Sequence, residues 1–169
     1  MEDAVQRLDP PFTGDERSLL ESWLDYHRTT VQVKCAGLAE ADAWRTPLPS
    51  SPAMSPAGLV LHLYWVERNW FERILTGVDV PLPWLVERDA EFARSGTESL
   101  DGVLKRYAEQ CERSRELAAG RGLDDTGYHP KLGVDISLRW IYLHMIEETA
   151  RHNGHFDAMR ELIDGTVGE

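Results

Sequence analysis

The chain has little cysteine, little lysine and no long apolar run. Its two cysteines, Cys35 and Cys111, stand far apart and form no Cys-x-x-Cys or Cys/His spacing, which argues against a zinc finger or a dithiol redox site. No stretch reaches the roughly 18 apolar residues that a membrane span needs, and the acidic start lacks the apolar region of a signal peptide. These absences predict a cytoplasmic protein with buried, reduced thiols and no membrane partner.

Positive charge is also scarce. The 169 residues include 18 Lys or Arg against 29 Asp or Glu, which gives a net charge of −11. Binding to nucleic acid requires clustered basic residues that neutralise phosphates. The sequence has no such patch, so it predicts no nucleic-acid partner. Six tryptophans and 42% hydrophobic residues indicate a globular chain rather than a disordered one.

Hydrophobic periodicity predicts four long helices and no strand of useful length. We expect the first helix from a capping box at Thr13 to about Leu38, and the others at about 56–76, 97–119 and 137–164. The connection Val78–Gly96 is long for a helical bundle and is expected to form a crossover or a lid. Residues 120–135 are expected to be irregular. The pattern predicts an all-α protein, a four-helix bundle that forms one domain over residues 1–169.

The last helix carries polar side chains on a face that is otherwise apolar. His144, Glu148, His152 and His155 follow one another at steps of four, four and three, which places them within an arc of roughly 80°. A buried ionised group costs several kcal/mol unless it is paired or bound to a metal. The stripe therefore predicts either a hydrogen-bonded core network or a metal site.

Glu148 and His152 lie one helical turn apart, so both can converge on one metal ion. The third ligand has to come from another helix, and His62 is the natural candidate because it lies on the apolar face of the second helix. His27 is a weaker alternative, and His129 lies in a loop rich in Gly and Asp. Two imidazoles and one carboxylate are the ligands of catalytic zinc and non-haem iron sites, which keep open positions. The His-Glu-x-x-His and di-iron spacings are both absent.

Two segments carry a family resemblance: SLRWIYLHMIEETARHNGHFDAMRELIDG in the last helix and LVLHLYWVERNWFERILTG in the second. From about Asp15 to Gly168 the chain resembles the DinB-like metalloenzyme superfamily, and within it the DUF664 (mini-circle protein) branch of actinobacteria. The resemblance implies a four-helix bundle with one divalent metal on His62, Glu148 and His152. Most members carry His at the first helix-four position. Glu-x-x-x-His is typical of mycothiol-dependent maleylpyruvate isomerases. The carboxylate makes the site harder and admits Zn, Ni, Fe or Mn, of which Zn is the first candidate.

The resemblance also implies an activity. The metal would activate a low-molecular-weight thiol, mycothiol, for S-transfer to an electrophilic substrate or for isomerisation. His155 is expected to orient His152 or to act as a general base, and Arg151 to hold a substrate carboxylate, although a solvated surface role for Arg151 stays open. His144 is expected to be structural.

Two other functions fit the same residues. One is a non-enzymatic metal-binding or stress-related protein of this fold, and the other is a metal-dependent hydrolase that acts through a bound water. A homodimer is also open, with Trp65 and Trp84 as candidates for an outer apolar surface. The excess of arginine over lysine is typical of the GC-rich genomes of actinobacteria.

Overall fold

The computed structural model describes residues 6–168, so Met1–Val5 of the acidic start and Glu169 lie outside it. Most of these residues are helical. The α-helices are α1 (Glu16–Cys35), α2 (Glu40–Ala43), α3 (Pro56–Glu67), α4 (Leu100–Ala119) and α5 (Leu138–Asp164), and a π-helix (Arg68–Ile74) continues α3. Two short strands, β1 (Thr126–His129) and β2 (Val134–Ser137), precede α5. The predicted mostly helical fold is confirmed.

The first helix begins later than the sequence predicts. Asp15, not Thr13, caps α1, because its side chain accepts a hydrogen bond from the Ser18 amide at 3.0 Å. The helix also ends at Cys35 rather than near Leu38. The predicted capping box is therefore wrong. A carboxylate at the cap position satisfies one of the free amides of the first turn as well as a hydroxyl would.

The ends of the other long helices follow local cap chemistry. Ser55 accepts a hydrogen bond from the Gly58 amide at 3.1 Å and precedes Pro56 at the first position of α3, as predicted. Ser137 caps α5 in the same way, and Gly165 ends that helix with φ 78°. Such caps depend on residues within one turn, which is why the sequence reveals them.

The second predicted helix is not a single α-helix. Its α-helical part stops at Glu67, and the next seven residues form a π-helix that buries Trp70, Phe71 and Ile74. π-helical turns are rare in proteins and occur often at functional sites. From the end of this helix to α4 the chain follows the long connection that the sequence predicts, and it contains two short 3-10 helices, Pro83–Leu85 and Ala90–Phe92.

The prediction that residues 120–135 are irregular and without a strand is wrong. β1 and β2 form an antiparallel hairpin in which Thr126 lies opposite Ser137 and His129 opposite Val134. Gly133 adopts φ 69° in its turn. Each strand has only four residues, which is too short for an alternation of apolar and polar residues to be recognised in the sequence.

Two apolar clusters fill the space between the long helical segments. The first includes Val31, Leu59, Leu63, Tyr107, Phe156 and Met159. The second includes Leu24, Phe71, Ile74, Leu138, Ile141 and Met145. Both clusters draw on α1, on α3 or the π-helix, on α4 and on α5, so these four segments share one interior. Within residues 6–168, no helix is long and apolar enough to cross a membrane.

A buried ion pair joins α1 to the end of α3. Arg28 donates to both carboxylate oxygens of Glu67, at 2.8 and 2.7 Å, and the two side chains are 4% and 0% exposed. Arg28 also donates to the half-exposed Asp25 at 3.0 Å. Nothing in the sequence predicts this pair. It fixes the position of the helix that carries His62.

Candidate metal centre

Three of the polar side chains singled out in the sequence converge between α3 and α5. Nε2 of His62 and Nε2 of His152 each lie 3.2 Å from the same carboxylate oxygen, Oε1 of Glu148. The ligand atoms of the three residues all lie within 4.8 Å of one another. The structure therefore brings together the residues that the sequence and the resemblance predict as ligands.

The hydrogen-bonding chemistry of this group fits a divalent cation. On its other side, Nδ1 of His62 faces Oε1 of Glu91 at 3.7 Å. An ionised carboxylate can only accept, so Glu91 and Glu148 compete for the single N–H proton of a neutral His62, and Glu148 is the nearer of the two, at 3.2 Å from Nε2. A cation on Nε2 would replace that proton and leave it for Nδ1, which faces Glu91. Two imidazoles with one carboxylate are a ligand set for a divalent metal.

Glu148 is ionised in this environment. Hydrogen bonds from His152 and from His62 hold the pKa of its carboxyl far below the usual value, and they outweigh the opposing effect of burial. The charged form is also the form that binds a metal. The position therefore carries a negative charge between two imidazoles at neutral pH.

The two residues predicted to have catalytic roles lie in different settings. Nδ1 of His155 is 3.2 Å from Nδ1 of His152, so one of these nitrogens donates to the other. Burial, and then the charges of His152 and Arg151, lower the pKa of His155, which favours its neutral form. Arg151 is 62% exposed and pairs with Glu147 on the same helix. It extends into solvent, and its substrate contact stays a prediction.

The remaining histidines do not belong to this group. His27, the weaker alternative as third ligand, lies on α1 with its ring 6.0 Å from that of Trp23. His129 lies in β1, where its Nδ1 accepts from a backbone amide of the hairpin turn. His144 packs against two tryptophan rings at centroid distances of 4.6 and 5.1 Å. The group that could hold a metal contains none of the three.

Two neighbours of His62 come from the long connection and were missed in the sequence. The ring of Phe92 stacks on the imidazole at 4.8 Å with an interplanar angle of 1°, and the buried carboxylate of Glu91 faces its Nδ1. The only signal in the sequence is an acid next to an aromatic residue inside a connection of unusual length. An irregular segment has no period that tells which side chains point inward.

Comparison with known proteins adds one finding. A family model described as mycothiol-S-transferase matches residues 19–165, and this range contains His62, Glu148 and His152. A comparison with curated proteins gave no match.

Proposed function

The chain belongs to the mycothiol-S-transferase family, and from this premise we propose that it is a metal-dependent enzyme that joins mycothiol, through its sulfur, to an electrophile. The observation that carries the proposal is the convergence of His62 and His152 on one oxygen of Glu148. Three protein ligands are typical of catalytic metal sites, which leave a position open for a reactant.

In this proposal His62, Glu148 and His152 hold one divalent metal, with zinc the first candidate and Ni, Fe or Mn as alternatives. A metal bound there would lower the pKa of a thiol that reaches it, so that a thiolate is available at neutral pH. The negative charge of Glu148 favours binding of a dication. It also makes the set harder than three imidazoles, because carboxylate oxygens suit harder metal ions.

His155 is proposed to act by orienting His152. When Nε2 of His152 binds a metal, its proton lies on Nδ1, which donates to Nδ1 of His155 at the observed distance of 3.2 Å. This hydrogen bond fixes the orientation of the ring. It also occupies the nitrogen of His155 that could accept a proton, so the orienting role fits better than the role of a base. Arg151 is proposed to hold a carboxylate of the electrophilic substrate at the rim of the site.

The reaction itself needs few groups. The thiol loses its proton to solvent, a new sulfur–carbon bond forms at the electrophilic carbon, and the leaving group departs with its bonding electrons. Isomerisation would use the same thiolate as a nucleophile that is later released. The chain supplies position and charge, which are the main contributions of a protein to such a step.

Elemental analysis of the purified protein tests the metal centre. We expect close to one metal per chain, and His152→Ala should abolish it. His27→Ala is the matched control, because that histidine is partly buried on α1 and should leave the metal content unchanged. Loss of metal in His27→Ala, or its retention in His152→Ala, would show that the ligand assignment is wrong.

A thiol-transfer assay tests the reaction. Mycothiol and monochlorobimane should give the S-conjugate with the metal-loaded protein, and neither the chelated protein nor His152→Ala should form it. Hydrolysis of ester or amide substrates without mycothiol would instead support a metal-dependent hydrolase. Full metal content without turnover of any of these substrates would support a metal-binding protein that is not an enzyme.

A further inference from the structure

The long connection before α4 contributes a side chain to the candidate metal centre. We propose that Glu91 is a positioning residue for His62, so that metal binding and the packing of this connection stabilise each other. The inference rests on the proposed metal centre. It concerns metal affinity and the order of the connection, and it does not depend on which reaction the protein catalyses.

Glu91 is buried in a way that needs a reason. The residue is only 8% exposed, and within residues 6–168 its Oε2 has no hydrogen-bond partner. Its other oxygen lies 3.7 Å from Nδ1 of His62, and that nitrogen is also buried without a partner. Burying a carboxylate is costly unless it is paired. A buried carboxylate without a hydrogen bond at Oε2, whose Oε1 faces an imidazole nitrogen that is itself unsatisfied, indicates a contact that closes when another group binds.

A metal on the opposite nitrogen is such a group. A histidine that ligates through Nε2 carries its proton on Nδ1 and almost always donates it to a carboxylate, a carbonyl or a water. The separation of 3.7 Å exceeds a hydrogen bond by less than 1 Å. A small rotation of the ring or of the carboxylate would form the bond, and the lone pair of Nε2 would then point towards Glu148.

The backbone of the connection is shaped to present this carboxylate. Asp89 adopts a left-handed conformation with φ 63°, and the 3-10 helix Ala90–Phe92 follows it directly. The ring of Phe92 stacks on the imidazole of His62. The backbone carbonyl of Phe92 packs closely against Gly58 on α3, because a Cβ added at Gly58 would lie 2.7 Å from the carbonyl oxygen. The connection therefore holds the ring of His62 from two sides.

Thermodynamic linkage predicts how metal binding affects the contact between Glu91 and His62. If the contact with Glu91 raises the affinity of His62 for the metal by some factor, then bound metal stabilises that contact by the same factor. Metal binding should therefore order residues 89–93, which are far from Glu148 and His152 in sequence.

Zinc affinity of the metal-free full-length protein tests the proposal, measured by competition with a chromophoric chelator. Glu91→Gln should bind zinc roughly 10–100-fold more weakly, as loss of such an outer carboxylate usually does. The matched control is Glu87→Gln, which changes an exposed glutamate four residues earlier in the same connection and should leave the affinity unchanged.

Thermal unfolding separates this role from a merely structural one. Without metal, Glu91→Gln should unfold at the wild-type temperature or above it, because the change removes a buried charge that lacks a partner. A glutamate with only a structural role would give the opposite pattern, with a lower unfolding temperature and unchanged zinc affinity. That pattern would overturn the proposal.

Hydrogen exchange of the wild-type protein is a second test that needs no variant. Zinc should slow amide exchange in residues 89–93 and leave the first turn of α1 unchanged. Equal exchange with and without zinc would overturn the proposal. If the wild-type chain binds neither zinc nor nickel, iron or manganese, both the proposed metal centre and this inference are wrong, whereas zinc binding without S-transfer would contradict only the proposed reaction.

Discussion

The buried pair between Arg28 and Glu67 offers a quantitative test of the fold around the site. We consider Glu67→Gln, which keeps the shape of the side chain and removes its charge. In the structure the carboxylate accepts two hydrogen bonds from the guanidinium, at 2.8 and 2.7 Å. A glutamine can accept one of them, but its NH₂ group then faces a donor of Arg28. One buried donor and a buried positive charge lose their partner.

The expected cost follows from the burial of both residues. Breaking a buried ion pair by changing one partner costs about 3–5 kcal/mol. Asp25 still contacts Arg28 at 3.0 Å and is 41% exposed, so part of the charge stays compensated. We therefore expect the lower end of the range, about 3 kcal/mol. For a chain of this size that corresponds to a fall of roughly 6–12 °C in the melting temperature.

Urea unfolding followed by tryptophan fluorescence measures this difference. The control is Glu116→Gln, which removes an exposed partner of Arg113 on α4 and should change the midpoint little, because surface pairs contribute little. The double variant Arg28→Met with Glu67→Leu should recover most of the loss, since no unpaired charge remains. If Glu67→Gln costs no more than Glu116→Gln, the pair does not behave as a buried one and the reasoning is refuted.

Three further predictions follow from close contacts and burial. Gly58→Ala should displace the Phe92 carbonyl, since the added Cβ would approach it to 2.7 Å, and should weaken zinc binding; equal affinity would contradict the packing described. Burial raises the pKa of Cys35 to about 12, and burial with the nearby Glu67 carboxylate raises that of Cys111 further. At pH 8 about one Cys35 thiol in 10⁴ is then ionised, so iodoacetamide should label neither cysteine until the protein unfolds; rapid labelling of the native protein would contradict this. Gly127→Ala should destabilise the protein by about 1–3 kcal/mol, measured by urea unfolding, because the Cβ would overlap the Ile74 carbonyl oxygen and lie 2.6 Å from Leu75 Cα; an unchanged midpoint would contradict this contact.

The parts of the fold that the sequence predicts are those that local chemistry determines. Ser55 and Gly165 mark helix ends because a cap needs only its neighbours within one turn. The π-helix after Glu67 could not be predicted from the sequence, because its buried residues Trp70, Phe71 and Ile74 also match the spacing of an α-helix. The hairpin escapes it because strands of four residues give too short a pattern, and its contact with the helix end at Gly127 is long-range.

The residues of the candidate site also differ in whether local chemistry determines their position. Glu148 and His152 are four residues apart on one helix, so their proximity follows from helical geometry alone. His62 could be placed because it is a polar residue on an apolar face. Glu91 could not, since a residue in a connection points inward only when the rest of the chain holds it there. Its effect on His62 depends on the φ of Asp89, which the sequence does not reveal.

A count of protons sharpens the argument for a cation at this site. Three contacts are hydrogen bonds, those of His62 and His152 to Glu148 and that between His152 and His155, whereas His62 and Glu91 face each other at 3.7 Å without one. Three neutral imidazoles carry three N–H protons, which suffice for the three hydrogen bonds and leave Nδ1 of His62 no proton to donate to Glu91. A fourth proton would fill that place by charging one imidazole. A divalent metal held by both Nε2 atoms and Glu148 would take the place of both hydrogen bonds to Glu148 and would leave the Nδ1 protons of His62 and His152 for Glu91 and His155. A metal on Nε2 would therefore explain why a buried carboxylate faces the unpartnered Nδ1 of His62, and this argument rests on the contacts rather than on the family to which the chain belongs.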